Sequence, residues 1–150
     1  MNTKSFLYIY IIIISLISLS CTCNFNFSDS ITNVDAAKEV TEQFYSSIME
    51  LDYASTDTLF SELFWESVSE ERVDRIHMAI LEKLGPLEEI SFSDYSFKVV
   101  RGTNPSTNYT LIYNTRYKDY DAVETFHLRK DSDEKIRITS YHVNSEGLLN

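Results

Sequence analysis

The chain predicts an α+β fold, with three N-terminal helices packed on one face of a curved antiparallel sheet of about four strands. Three observations carry that expectation. Apolar residues recur at helical spacing as far as Leu84 and alternate with polar ones after Pro86. The Gly85-Pro86 pair divides the two regimes, glycine supplying a left-handed cap and proline blocking continuation of a helix. The later alternating runs are joined by short turns, which permit antiparallel pairing, whereas a parallel crossover needs about a dozen residues or more. Helices first and strands second give helices layered on a sheet.

The first helix is expected from about Val34 to Leu51, where Ala37, Val40, Phe44, Ile48 and Leu51 lie along one face. Thr32 followed by Asp35 looks like its capping box. A second helix, about Thr56 to Trp65, groups Leu59, Phe60, Leu63 and Phe64. A third, about Ser69 to Leu84, carries Val73, Ile76, Ile80 and Leu84 on one stripe. Strands are expected at Ile90 to Arg101, Tyr109 to Lys118, Ala122 to Lys130 and Lys135 to Val143. The turns between them are Gly102-Thr103-Asn104-Pro105, Asp119-Tyr120-Asp121 and Asp131-Ser132-Asp133-Glu134.

The N-terminus reads differently. Lys4 precedes an apolar run that ends in Ser18-Leu19-Ser20-Cys21. Charge, a short apolar run and a small residue before the cut form an export signal. The run is shorter than the roughly 20 residues of a spanning helix. The expectation is a lipoprotein signal peptide over residues 1–20, cleavage before Cys21 and lipid on the new terminal cysteine. Cys23 has poorer flanking residues for that cut. Residues 21–31 form a tether, and 32–150 a single domain.

Both cysteines lie at the start of the mature chain, so the domain holds no disulfide, thiol nucleophile or metal-binding thiolate. Nine Phe and ten Tyr are left to build the core. The formal net charge is −10, and between Asp29 and Leu84 there are 13 acidic residues against 4 basic. That balance argues against nucleic acid and against docking on anionic headgroups.

The order of elements, with particular residues inside it, resembles the NTF2-like (cystatin-like) cone fold of small bacterial lipoproteins. The matching stretches are Phe44-Tyr45-Ser46-Ser47 through Leu51-Asp52-Tyr53, Leu59 to Phe64, Leu84-Gly85-Pro86-Leu87, Glu124 to Leu128, and Lys135 to Val143. The resemblance spans roughly residues 34–145. It implies a cone between the helices and the inner sheet face. It implies no particular activity, because function on such a fold has to be argued from a site. NTF2-like domains commonly carry a further strand near the second helix, which is missing from this reading.

Strand parity places Ile136, Ile138, Ser140 and His142 on one face of the last strand. Glu124, Phe126 and Leu128 share a face of the third, with His127 on the opposite one. His142 is then either at a pocket mouth or at a strand end in water. His77 has no second histidine four residues away, and the chain has only three, so no metal site and no cofactor are expected. A cone carboxylate acting as general base beside a tyrosine hydroxyl is the enzymatic alternative. Asp52, Asp94 and Glu124 are its available acids, and Tyr45, Tyr109, Tyr113 and Tyr141 its hydroxyls. The plainer reading has Asp52 capping, Asp94 and Glu124 in water, and the tyrosines as core. No catalytic residue is assigned.

The expectation for function is a lipid-anchored, extracytoplasmic, non-catalytic binding or accessory module of the cell envelope, on the outer membrane ahead of the inner. Its partners would be the membrane, through the lipid on Cys21, and an envelope protein or a second copy in a homodimer. No nucleic acid is expected, and any small-molecule ligand is unidentified. The alternative is an isomerase- or hydrolase-type enzyme. An enclosed cavity of about 300 Å³ or more would favour ligand binding or catalysis. A cone plugged by Phe44, Phe60, Phe64 and Trp65 would favour protein interaction.

Overall fold

The computed structural model describes residues 27–130 and 133–149. Helix α1 runs Phe27–Met49, α2 Tyr53–Thr56, α3 Glu62–Trp65 and α4 Glu70–Leu84. Strands β1 (Leu87–Val100), β2 (Ser106–Tyr117), β3 (Asp121–Lys130) and β4 (Ile136–Asn144) follow. They form one four-stranded antiparallel sheet in the order β1-β2-β3-β4. The α+β class, the helices-then-meander order and the four-stranded antiparallel sheet are as expected. Among the described residues no helix is long and apolar enough to cross a membrane.

Helix α1 starts earlier than its apolar stripe. Between Phe27 and Leu51 there is neither glycine nor proline, so nothing stops the helix running back past Thr32. Thr32 is therefore inside α1 and not its cap. Val34, Ala37, Thr41, Phe44 and Tyr45 are buried, and they lay the helix across the sheet.

The expected single second helix is three short pieces: α2, a 3₁₀ turn over Asp57–Leu59, and α3. Phe60 breaks the run with an extended backbone at φ −85°, ψ 152°. It bridges to Ile138 of β4, and the Ser61 N–H donates to the Ile138 carbonyl at 2.9 Å. Ser61 then starts α3, its hydroxyl accepting from the Phe64 N–H at 3.2 Å.

Helix α4 begins after Ser69 and ends at Gly85, whose φ of 81° lies in the left-handed region. A Cβ on Gly85 would also meet the Lys118 Cβ and the Asp119 carboxylate at 2.9 Å. Glycine is therefore required twice over.

The core sits between α1 and the sheet. Phe44, Tyr45 and Phe60 meet Tyr109, Leu111, Tyr113, Phe126, Leu128 and Ile138 there. A smaller cluster of Ile80, Leu84, Tyr117 and Ala122 fixes α4 at the other end.

Candidate functional site

Glu124 sits mid-β3, between Ala122 and Phe126, and is completely buried. Its register opposite Tyr113 on β2 and Val143 on β4 points it under the helices. Taking a carboxylate out of water costs several kcal/mol, on the order of the penalty for a buried ion. Among the described residues no salt bridge to a Lys, Arg or His offsets that cost. Hydroxyls from three elements do so instead. Thr115 and Tyr117 of β2 donate to Oε1 at 2.9 and 2.7 Å. Tyr45 of α1 and Tyr141 of β4 donate to Oε2 at 3.0 and 2.8 Å. Each oxygen thus receives two donors, an arrangement suited to an acceptor-only carboxylate.

The charge acts back on its donors. Burial, and after it the negative Glu124, raises the pKa of Tyr45 and Tyr117 far above the ordinary 10.0. Tyr141 is pushed up for the same reasons in the same order. All three therefore stay protonated and donating at any physiological pH.

Beside Tyr117 and Tyr141 lies a cavity of about 50 Å³, walled by Ile48, Leu51, Tyr53, His77 and Leu87 among others. A water takes roughly 30 Å³, so this is room for one or two. His77 is buried and stacked on Tyr53, with ring centroids 5.0 Å apart at 28°. Burial lowers its pKa, against the smaller opposing pull of Asp74. Its Nδ1 has no hydrogen-bond partner among the described residues.

Aromatic rings pack much of the space between α1 and the sheet, and an open cleft of about 310 Å³ lies beside them, lined by Phe60, Phe64, His77 and Tyr141 among others. Phe44 packs on Phe126 at 5.1 Å and on Tyr141 at 4.9 Å. Phe60 stacks on Phe64 at 4.2 Å and meets Trp65 edge-on at 5.6 Å. Phe44, Phe60, Phe64 and Trp65 all join this aromatic cluster, Phe44 and Phe60 buried and Phe64 and Trp65 half-buried.

The sequence candidates separate cleanly. Glu124, Tyr45 and Tyr141 are brought together, which corrects the reading that left Glu124 in water. Asp52 is an exposed cap, accepting from the Ser55 N–H at 3.3 Å. Asp94 is exposed on β1 and accepts from the Tyr95 N–H at 2.8 Å. The Tyr113 hydroxyl pairs with Thr41 at 2.6 Å instead, and Tyr109 is core that does not reach Glu124. His127 is on the outer face, 3.1 Å from the Thr110 hydroxyl.

His142 does not share the face of Ile138. A bulge between His127 and Leu128 in the β3–β4 register leaves Thr139 extra, so Ile138 and Tyr141 point inward and His142 faces out opposite Thr125. It is exposed and lies 6.0 Å from the His127 ring. Sequence reasoning missed Thr115 and Tyr117. Their signal was present, since Tyr109, Leu111, Tyr113, Thr115 and Tyr117 alternate along β2 on one face. Cys21, residues 1–20 and the tether before Phe27 lie outside the described residues, as do Asp131 and Ser132 of the last turn.

No protein-family model matches the chain, and no curated protein matches it. Among solved structures it resembles a protein from Shewanella frigidimarina provisionally assigned as a ketosteroid isomerase. The TM-score is 0.49 at 19% identity, covering 73% of this chain and 94% of that one. At that level the likeness bears on neither site nor activity.

Proposed function

We propose that the chain is a non-catalytic binding or accessory module, lipid-anchored through Cys21 on the outer side of a bacterial envelope membrane. The observation that carries the non-catalytic part is the satisfied carboxylate, whose two oxygens each already receive two hydroxyl donors. Ligand pockets run from about 300 Å³ upward; the space that adjoins Tyr117 and Tyr141 beneath α1 is about 50 Å³, and the open cleft along Phe60, Phe64, His77 and Tyr141 is about 310 Å³. Glu124 has its four donors from within the protein and needs nothing from a ligand. The anchor rests on the signal pattern ending at Cys21.

Two measurements test this reading. Cys21→Ser in the full chain should abolish labelling by radioactive palmitate and move the protein from membranes to the soluble fraction. Persistent labelling sinks the anchor. Native mass spectrometry of protein purified from its envelope should find no small molecule retained in the domain. A stoichiometric ligand would favour the second reading.

That second reading is an enzyme using Glu124 as general base. It is favoured by the buried carboxylate ringed by tyrosines and by the unpartnered Nδ1 of His77 in the adjoining cavity wall. It requires the mouth at Met49, Leu51 and Tyr53 to open. Leu51 holds a left-handed backbone there at φ 59°, a conformation costly for a branched side chain.

A further inference from the structure

The two edges of the sheet are treated differently. On β4 the Phe60 bridge and the Ser61 N–H occupy the edge at Ile138. On β1 no strand pairs with the outer edge among the described residues, although β1 runs for 14 residues. Long uncovered edges are templates for pairing.

The side chains of β1 are ordered for a partner. Register with β2 puts Phe92, Tyr95, Phe97 and Val99 opposite Tyr113, Leu111, Tyr109 and Thr107, hence on the helix-covered face. Even and odd numbers share that face only because a bulge between Phe92 and Asp94 absorbs Ser93. Yet the helices leave these residues in water. Phe92, Tyr95, Phe97 and Val99 are 39, 46, 37 and 43% exposed, with the Lys38 ammonium 4.0 Å from the Phe92 ring. Asp94 and Lys98, opposite Ile112 and Asn108, stand on the other face.

We propose that a second copy of this chain covers the strand, β1 pairing antiparallel with the partner's β1 about a two-fold axis at Ser96. In that register Tyr95 lies opposite the partner's Phe97, and Phe97 opposite the partner's Tyr95, on the helix-covered face. On the other face Asp94 lies opposite the partner's Lys98, and the converse holds by symmetry. Sliding by two residues either way keeps the aromatic faces together but separates both charge pairs. The charge order along β1, acid before the axis and base after it, is what antiparallel self-pairing needs. The chain's own N-terminal segment cannot supply it, because residues 1–26 contain Lys4 and no acid to oppose Lys98.

A charge-swap series on the full chain in detergent micelles, read by sedimentation equilibrium, tests the pairing. The unmodified protein should be a dimer. Asp94→Lys and Lys98→Glu each place like charges opposite one another twice, and each should weaken dimerisation about tenfold. The double variant, Asp94→Lys with Lys98→Glu, restores both pairs and should return to within about twofold of the unmodified protein. Both side chains are exposed, and circular dichroism confirms that each variant stays folded. A monomeric unmodified protein overturns the proposal. So does a dimer indifferent to the single changes, or a double variant no better than the singles.

Discussion

Glu124 is a buried carboxyl group that accepts from four hydroxyls, and those donors decide what its removal does. Glu124→Gln turns an acceptor oxygen into an amide that faces two hydroxyl donors. It should lower stability by about 2 kcal/mol, read as the urea midpoint. Tyr117→Phe removes one donor to the carboxylate and should cost about 1.5 kcal/mol by the same measurement. A stabilised Tyr117→Phe variant would mean that the network is not satisfied as described.

The pH dependence follows from the tyrosines. Their pKa values are raised in the folded state above the ordinary 10.0. The unfolded chain therefore loses protons that the native one keeps. Stability should be intact below about pH 10 and fall as pH rises beyond it, more steeply than in Tyr45→Phe, which has one such group fewer. On the acid side His77 works the other way. Its lowered pKa makes stability fall as pH drops below the ordinary 6.5, and His77→Phe should flatten that limb in a denaturation series.

Elements are where alternation and structure part company. Ile136 and Ile138 face in on even numbers, and Tyr141 faces in on an odd one, because Thr139 is a bulge. The apolar residues already changed parity there, whereas strict alternation put His142 on the face of Ile138. Ser93 does the same in β1. Both bulges keep the apolar set on one face, as the cost of exposing it demands. The broken second helix has a different cause. Phe60 gives up helical hydrogen bonds for a bridge to Ile138, and no local propensity announces that partner. Gly85 was legible from the start, and it carries a prediction. Gly85→Ala must hold φ 81° and push against Lys118 and Asp119, so it should cost about 2 kcal/mol or more in thermal or urea unfolding.

At the scale of the whole molecule, the helices lean on β2, β3 and β4 and leave β1 exposed. Hydrogen exchange should therefore be slowest in β2 and β3, which are paired on both sides and buried on one face. The outer edge of β1 should exchange fast in dilute, dissociated protein and slowly at concentrations where copies associate. Uniform protection of β1 at all concentrations would point instead to cover from within the chain. The aromatic cluster belongs to this scale as well, since its rings come from α1, α3, β3 and β4.

The sequence by itself determined the class, the order of elements, the stop at Gly85-Pro86 and the set of acids and tyrosines from which a site could be drawn. These depend on local periodicity and backbone chemistry, which neighbours along the chain report directly. Only the tertiary structure decided that Glu124, not Asp52 or Asp94, is the buried carboxylate, and that Thr115 and Tyr117 complete it. Only it decided that rings from α1, β3 and β4 pack together beside that carboxylate. Those outcomes depend on which side chains meet across α1, β2, β3 and β4, and on a one-residue bulge that shifts a face.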